Sequence, residues 1–222
     1  AIGVRGRFVH PQTRRKGALF EVRARKAVIV AASATHSPAL LLRSGVKSKT
    51  LGHFFRAHPG TGIFGSYDEP VHMSRGATQG WSSTKLRESH GFKLETLSIP
   101  LELVASRLGG AGTQLIERVS EFPHLAMWVM AVRSEAVGRV TAGWGGMPSV
   151  RYTHTRRDME KLRTAAHLIA KMHIEAGARS VIPAIYGLPY RLGPDEIDQI
   201  KEGPLDPRCY TAILSHLFGG CI

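Results

Sequence analysis

A histidine near the carboxyl end carries the chemistry that this sequence suggests most clearly. His216 lies three residues before the pair Gly219–Gly220. A histidine can accept or donate a proton near neutral pH, and glycines let a backbone approach another group closely because they lack Cβ atoms. His216 is therefore a candidate proton acceptor. A histidine in an irregular loop is the alternative, because it would have the same local sequence.

A second stretch, near the amino end, has the pattern of a buried strand that turns directly into a short helix. Residues 28–32 are all apolar, which is typical of a strand covered on both faces. Ser37 suits the cap at the start of a helix and Pro38 the first helical position, and Gly45 suits the left-handed residue that ends one. Such a unit faces a nucleotide in many α/β folds, but any α/β domain contains several of them.

Composition narrows the class of protein. The 222 residues are enough for one large or two modest domains. No apolar run reaches the roughly 18 residues of a membrane span, and the two cysteines lack metal-site spacing. The net charge of +13 is spread over small groups without interleaved aromatic residues, so we expect a solvated basic surface and no nucleic-acid partner. Without a targeting signal, the cytoplasm is the default location.

The middle of the chain predicts a sheet of hairpin-connected strands. Apolar segments bounded by turn residues predict about six strands, at 60–67, 76–83, 92–99, 124–133, 138–142 and 149–153. Strands joined by hairpins favour an antiparallel sheet, and helices near 100–108 and 112–121 interrupt it. A further hairpin is predicted from residues 3–9 and 18–24.

The clearest helix covers residues 158–176, where apolar residues recur at three- and four-residue spacing. Thr155 is the expected cap, and Gly177 is the expected end. His167 and His173 lie on this helix six residues apart. We expect polar-face or boundary positions for both rather than metal binding, because metal-binding pairs on helices are usually four residues apart.

Three motifs, taken together, resemble the glucose–methanol–choline (GMC) oxidoreductases, FAD-dependent enzymes that act on alcohols. They are Ala31-Ala32-Ser33-Ala34 with Ser37-Pro38 and Ser44-Gly45; Gly52 with His58-Pro59; and His216-Leu217-Phe218-Gly219-Gly220-Cys221. Their order and the separation of about 180 residues between the first and last motifs also fit the family. The resemblance covers essentially the whole chain.

The resemblance implies FAD as cofactor, a small-molecule alcohol as substrate and an active-site role for His216. This histidine would be the general base, or the group that stabilises the developing alkoxide. The residues that would contact FAD are Ala32, Ser33, Ala34, Gly219 and Gly220. Ser33 replaces a glycine that is usual in the family, so its side chain is expected to crowd the turn. His58 is expected to have a structural role.

The resemblance also implies a mixed α/β and α+β fold. Residues 1–59 and 186–222 would form part of a Rossmann-like FAD-binding domain, and residues 60–185 a substrate domain around the antiparallel sheet. The glycine-rich turn expected to hold the FAD pyrophosphate is missing, so we expect a fragment that needs flanking chain of the same protein and binds no FAD stably alone. The alternative is a truncated or degenerate, non-catalytic basic binding module.

Overall fold

The computed structural model describes residues 1–221, which form a mixed arrangement of strands and helices. The strands are β1 (Gly3–Val9), β2 (Lys16–Arg23), β3 (Arg56–Gly60), β4 (Gly62–Ser66), β5 (Ser82–Ser83), β6 (Phe92–Thr96), β7 (Leu125–Val132), β8 (Arg139–Ala142), β9 (Pro148–Arg151), β10 (Ser180–Ile182) and β11 (Ile213–Phe218). The α-helices are α1 (Ser33–Arg43), α2 (Leu101–Leu108), α3 (Thr113–Ser120) and α4 (Arg156–Glu175). Within residues 1–221, no helix has both the length and the apolar character needed to cross a bilayer.

Five antiparallel strands in the order β10-β4-β7-β6-β5 form the central sheet. The predicted antiparallel pairing is confirmed, but the predicted count of about six strands is corrected to five. Segments 138–142 and 149–153 pair with each other as the separate hairpin β8–β9, because the glycine-rich turn between them reverses the chain. Strand β10 joins the edge of the sheet instead, and its three residues are too few to show a sequence period.

Helices pack on both faces of the central sheet because apolar side chains alternate between the two faces along β7. Met130 and Val132 belong to a buried cluster with residues of α4, whereas Met127 and Val129 belong to a second cluster with Val104 of α2. Fully burying a side chain of this size contributes roughly 1.5–3 kcal/mol. The central sheet is therefore buried on both faces by these two clusters.

The predicted long helix is confirmed as α4, which begins two residues earlier than expected. Thr155 Oγ1 accepts a hydrogen bond from Asp158 N at 3.1 Å, and Asp158 Oδ2 accepts one from Thr155 N at 2.9 Å. Asp158 also accepts hydrogen bonds from Ser134 Oγ and Glu135 N. Burial alone would raise the pKa of Asp158, but these hydrogen bonds lower it overall. The cap therefore ties α4 to the end of β7.

His173 corrects the prediction of a polar-face or boundary position on α4, because its side chain is only 2% exposed. Its Nδ1 lies 2.9 Å from Tyr67 Oη, and its Nε2 lies 3.1 Å from the Ile63 carbonyl oxygen. Gly65 leaves room for the ring, since a Cβ there would overlap it. Burial lowers the pKa of His173 to about 4. His167, in contrast, bonds to a surface carboxylate as a boundary residue would.

The apolar run at residues 28–32 is not a buried strand, so that prediction is wrong. Ile29 is 89% exposed, and residues 24–32 lie outside any strand. Burial on both faces requires neighbouring strands, and within residues 1–221 no strand pairs with this run. The predicted hairpin that precedes it is confirmed as β1–β2.

Candidate functional site

Two histidines from distant parts of the chain meet where β3 pairs with β11. His58 lies in β3 and His216 in β11, and the strands run antiparallel with Ser215 opposite His58. The two Nδ1 atoms are 3.3 Å apart, and the ring centroids are 5.4 Å apart. Phe218 packs edge-on near His58, with the ring centroids 5.6 Å apart. No sequence motif indicated this contact, and His58 was expected to have only a structural role.

A bulge in β11 determines the backbone conformation of His216. The register between β3 and β11 shifts between Ser215 and Phe218. His216 has a φ of 50°, in the left-handed region that residues with a Cβ rarely adopt. Such conformations cost about 1–3 kcal/mol and concentrate at functional sites, and bulges are frequent beside active sites. The local strain therefore supports a functional role for His216.

The environment of His58 favours its neutral form. Burial lowers its pKa, and nearby positive charges lower it further, whereas Glu95 raises it. The groups that lower it by charge are His216, Lys93 and Arg87. A neutral imidazole carries a single N–H, so the 3.3 Å contact is a hydrogen bond only when one ring donates and the other accepts.

A cleft of about 710 Å³ opens beside the two histidines, and we call it the histidine cleft. Its lining includes both imidazoles, the apolar side chains of Phe92 and Phe218, and the cationic side chain of Lys93. The cleft is also lined by the charged side chains of Arg87, Glu88 and Arg133. Small-molecule sites usually measure about 300–1,000 Å³. The cleft thus has the size and the titratable groups of a substrate site.

Gly219 and Gly220 form a tight backbone crossing directly after β11. Their φ values are 83° and 84°. A Cβ on Gly219 would overlap the carbonyl oxygen of Phe54, and one on Gly220 would lie 3.0 Å from the carbonyl oxygen of Ala34. The Gly220 carbonyl also accepts a hydrogen bond from Gly52 N at 2.8 Å. Both glycines were expected to let the backbone approach another group closely. Within this chain, the groups that they approach are the backbone carbonyls of Phe54 and Ala34.

Helix α1 begins at Ser33, four residues before the predicted start. Ser37 is not its cap: the Ser37 Oγ lies inside the helix and accepts a hydrogen bond from Ala32 N at 2.9 Å. Pro38 is also internal. Ser33 has a φ of 85°, a conformation that glycine adopts without strain. Its Oγ accepts a hydrogen bond from His36 N at 3.2 Å, which offsets part of that strain.

The motifs from the two ends of the chain lie close together. Gly220 lies against Ala34, because a Cβ on Gly220 would be 3.0 Å from the Ala34 carbonyl oxygen. Four residues of chain span at most about 14 Å, so His216 lies within roughly that distance of Gly220. Ala32 and Ser33 are exposed at the start of α1. The backbone amides at this helix start are not all free, because Ala32 N donates to Ser37 Oγ at 2.9 Å and His36 N donates to Ser33 Oγ at 3.2 Å.

Comparison with known proteins gives matches over most of the chain. Residues 1–60 match a family model described as GMC oxidoreductase. The chain is 34% identical over 187 residues to uncharacterized GMC-type oxidoreductases from two strains of Mycobacterium tuberculosis, covering 79% of this chain and 30% of each relative. It is 29% identical over 209 residues to one from Sinorhizobium fredii, covering 87% of this chain and 38% of that relative. The chain thus spans about a third of the length of these curated relatives.

Proposed function

Because the chain belongs to the GMC oxidoreductase family, we propose that it acts within a flavin-dependent enzyme that oxidises the CH–OH group of a small alcohol, with His216 as catalytic base. One observation carries the assignment of the base: His216 lines a cleft of substrate size from a bulged strand position where its φ is 50°.

The polar contacts of His216 identify the nitrogen that would act on the substrate. Its Nδ1 lies 3.3 Å from His58 Nδ1 and 3.4 Å from Ser215 Oγ. Within residues 1–221, no hydrogen bond occupies Nε2. We propose that Nε2 takes the proton of the substrate hydroxyl, while His58 fixes the tautomer and the orientation of the ring through Nδ1.

Members of this family bind FAD, which accepts the hydride that leaves the alcohol carbon. In this chain, the backbone of Ala32, Ser33 and Ala34 would hold part of the cofactor, and the chain at Gly219 and Gly220 would pass beside it. No described residue supplies a glycine-rich pyrophosphate turn. We therefore propose that flanking chain of the same protein completes the flavin site.

The proposed domain division gains support from contacts between the two outer segments. Strand β3, at the end of residues 1–59, pairs with β11 from residues 186–222, and Gly52 bonds to Gly220. These segments would complete a Rossmann-like FAD domain, and residues 60–185 would form the substrate domain. The cytoplasm remains the proposed location.

The test is the flavin content of the protein made from its complete reading frame, followed by its reaction with alcohols. We expect a visible flavin spectrum and anaerobic bleaching by at least one member of a panel of aliphatic and aromatic primary alcohols. A protein that stays colourless after incubation with FAD would contradict the proposal. Flavin that no alcohol bleaches, while dithionite does, would contradict the assignment of alcohol oxidation.

A further inference from the structure

A second cavity, of about 320 Å³, lies between α2, α3 and the loop 184–190, and we call it the arginine pocket. It shares no lining residue with the histidine cleft. Arg107 and Arg118 line it, and among the residues that the structure describes no carboxylate does. The side chains that line this pocket therefore carry a formal charge of +2.

Arg107 is a partly buried cation without a counter-ion. It makes no ion pair within residues 1–221, and its one hydrogen bond runs from Nη1 to the Thr211 carbonyl oxygen at 3.3 Å. Its Nε is closed to solvent and has no partner there. Burial lowers the pKa of this guanidinium. A buried charge that lacks a partner is costly, so an anion beside Arg107 would stabilise the folded protein.

Arg118 also makes no ion pair within residues 1–221, although its position is well defined. Its guanidinium lies 3.6 Å from the centroid of the Tyr190 ring, and its Nη1 donates to the Leu108 carbonyl oxygen at 3.0 Å. A guanidinium has five N–H donors, so one used donor on each arginine leaves eight between the two. The neighbouring Arg191, in contrast, makes an ion pair with Glu121 at 2.6 Å.

The hydroxyl of Tyr190 is a second polar group left unpaired at this pocket. It is buried and has no hydrogen-bond partner within residues 1–221. Only three buried side-chain atoms of the described chain are unpartnered, and two of them, on Arg107 and Tyr190, belong to residues that line this one cavity. Buried polar groups are normally satisfied, and exceptions call for an explanation. A bound acceptor would supply one, after a small movement that opens these atoms to the pocket.

We propose that the arginine pocket binds a small anion through a carboxylate or phosphate group, at a site separate from the histidine cleft. Guanidinium groups bind both oxyanions through paired N–H donors. The volume, at the lower end of small-molecule sites, favours a compact ligand.

The experiment is a calorimetric titration of the protein with sodium succinate and, separately, with sodium phosphate, at constant ionic strength. The variants are Arg107→Gln and Arg118→Gln. Arg75→Gln is the matched control, because it removes the same charge from an exposed loop residue outside the pocket. Circular dichroism reports whether each variant folds.

We expect saturable binding of at least one of the two anions. Arg107→Gln and Arg118→Gln should each weaken this binding about tenfold or more, whereas Arg75→Gln should weaken it less than twofold. Preference for succinate or for phosphate identifies the natural headgroup. Absence of saturable binding by both anions overturns the proposal, as does equal weakening by Arg75→Gln. If Arg107→Gln does not fold, Arg118→Gln decides in the same way.

Discussion

The Nδ1 atoms of His58 and His216 lie 3.3 Å apart across the β3–β11 pair, although 158 residues separate them in sequence. At this distance, a positive charge on His216 disfavours protonation of His58. Burial and the positive charge of His216 lower the pKa of His58. His58 is therefore a positioning residue in the proposed mechanism, because it acts on the substrate only through His216.

Replacing His58 tests this contact. We expect His58→Phe to lower kcat about tenfold or more, while flavin content is retained, because the ring of His216 loses its Nδ1 partner. The pH profile of kcat should lose the contribution of His58, whose pKa is lowered in the parent protein. His58→Asn, which keeps a hydrogen-bonding group, should recover part of kcat. An unchanged pH profile in His58→Phe would show that the contact has no role in proton transfer.

Gly219 gives a prediction about folding, because its lack of a Cβ is structurally required. Gly219→Ala places a methyl group against the Phe54 carbonyl oxygen at a φ of 83°. We expect this variant to lose more than about 3 kcal/mol of unfolding free energy in urea titrations, since the left-handed conformation alone costs about 1–2 kcal/mol. Gly177→Ala is the control: its φ is 90°, but nothing lies within 4 Å of the added Cβ. Equal losses in the two variants would mean that the crossing at Gly219 is not tight.

Replacing Ser33 with glycine should stabilise the protein, in contrast to the replacement of Gly219, since the φ of 85° at Ser33 suits glycine. Ser33→Gly should raise the unfolding free energy by up to about 1 kcal/mol, because it removes strain. Ser33→Ala keeps the strain and loses the hydrogen bond that Ser33 Oγ accepts from His36 N. It should therefore be the least stable of the three proteins in thermal unfolding. A Ser33→Gly protein less stable than Ser33→Ala would contradict the strain at this turn.

Helix α4 was predicted correctly from sequence, whereas the run at 28–32 was not. The difference shows which parts of the fold the sequence determines locally. Helix α4 was predictable because its apolar spacing and the Thr155–Asp158 cap are local. The run at 28–32 was misread because its burial depends on neighbouring strands, which an apolar run does not encode. His173 was misread because a histidine that continues an apolar stripe is buried by its surroundings, here Tyr67 and Ile63.

The candidate site was predictable in its members but not in its geometry. The glycine pair and His216 were identified from sequence motifs, whereas their partners arise from pairing between distant segments. His58 meets His216 only through the register of β3 and β11, which no local pattern specifies. The left-handed backbone of His216 was equally hidden, because a bulge depends on both strands.

His173 predicts a pH dependence of stability. Its pKa of about 4 in the folded protein lies below the ordinary 6.5, so the unfolded chain binds the proton more readily. Its contribution, about 3 kcal/mol, is therefore complete above pH 6.5 and is lost as the pH falls toward 4. We expect His173→Gln to reduce the difference in unfolding free energy between pH 7 and pH 4.5 by about 2 kcal/mol.

The control for this prediction is Lys171→Gln on the same helix. Lys171 is exposed, so its replacement should leave that pH dependence nearly unchanged. Urea titrations at the two pH values measure both variants. If His173→Gln and the parent protein lose the same stability on acidification, the buried imidazole is not the group responsible.

The rate of anaerobic flavin reduction by the best alcohol substrate, measured by stopped flow, tests whether His216 is the catalytic base. Histidine general bases contribute about 10²–10⁴-fold. His216→Asn, in the protein made from the complete reading frame, should therefore slow bleaching by at least about 100-fold while flavin content is retained. His36→Asn, at an exposed histidine in α1, should change the rate less than about threefold. Bleaching by His216→Asn at the rate of the parent protein would contradict the proposed role of His216.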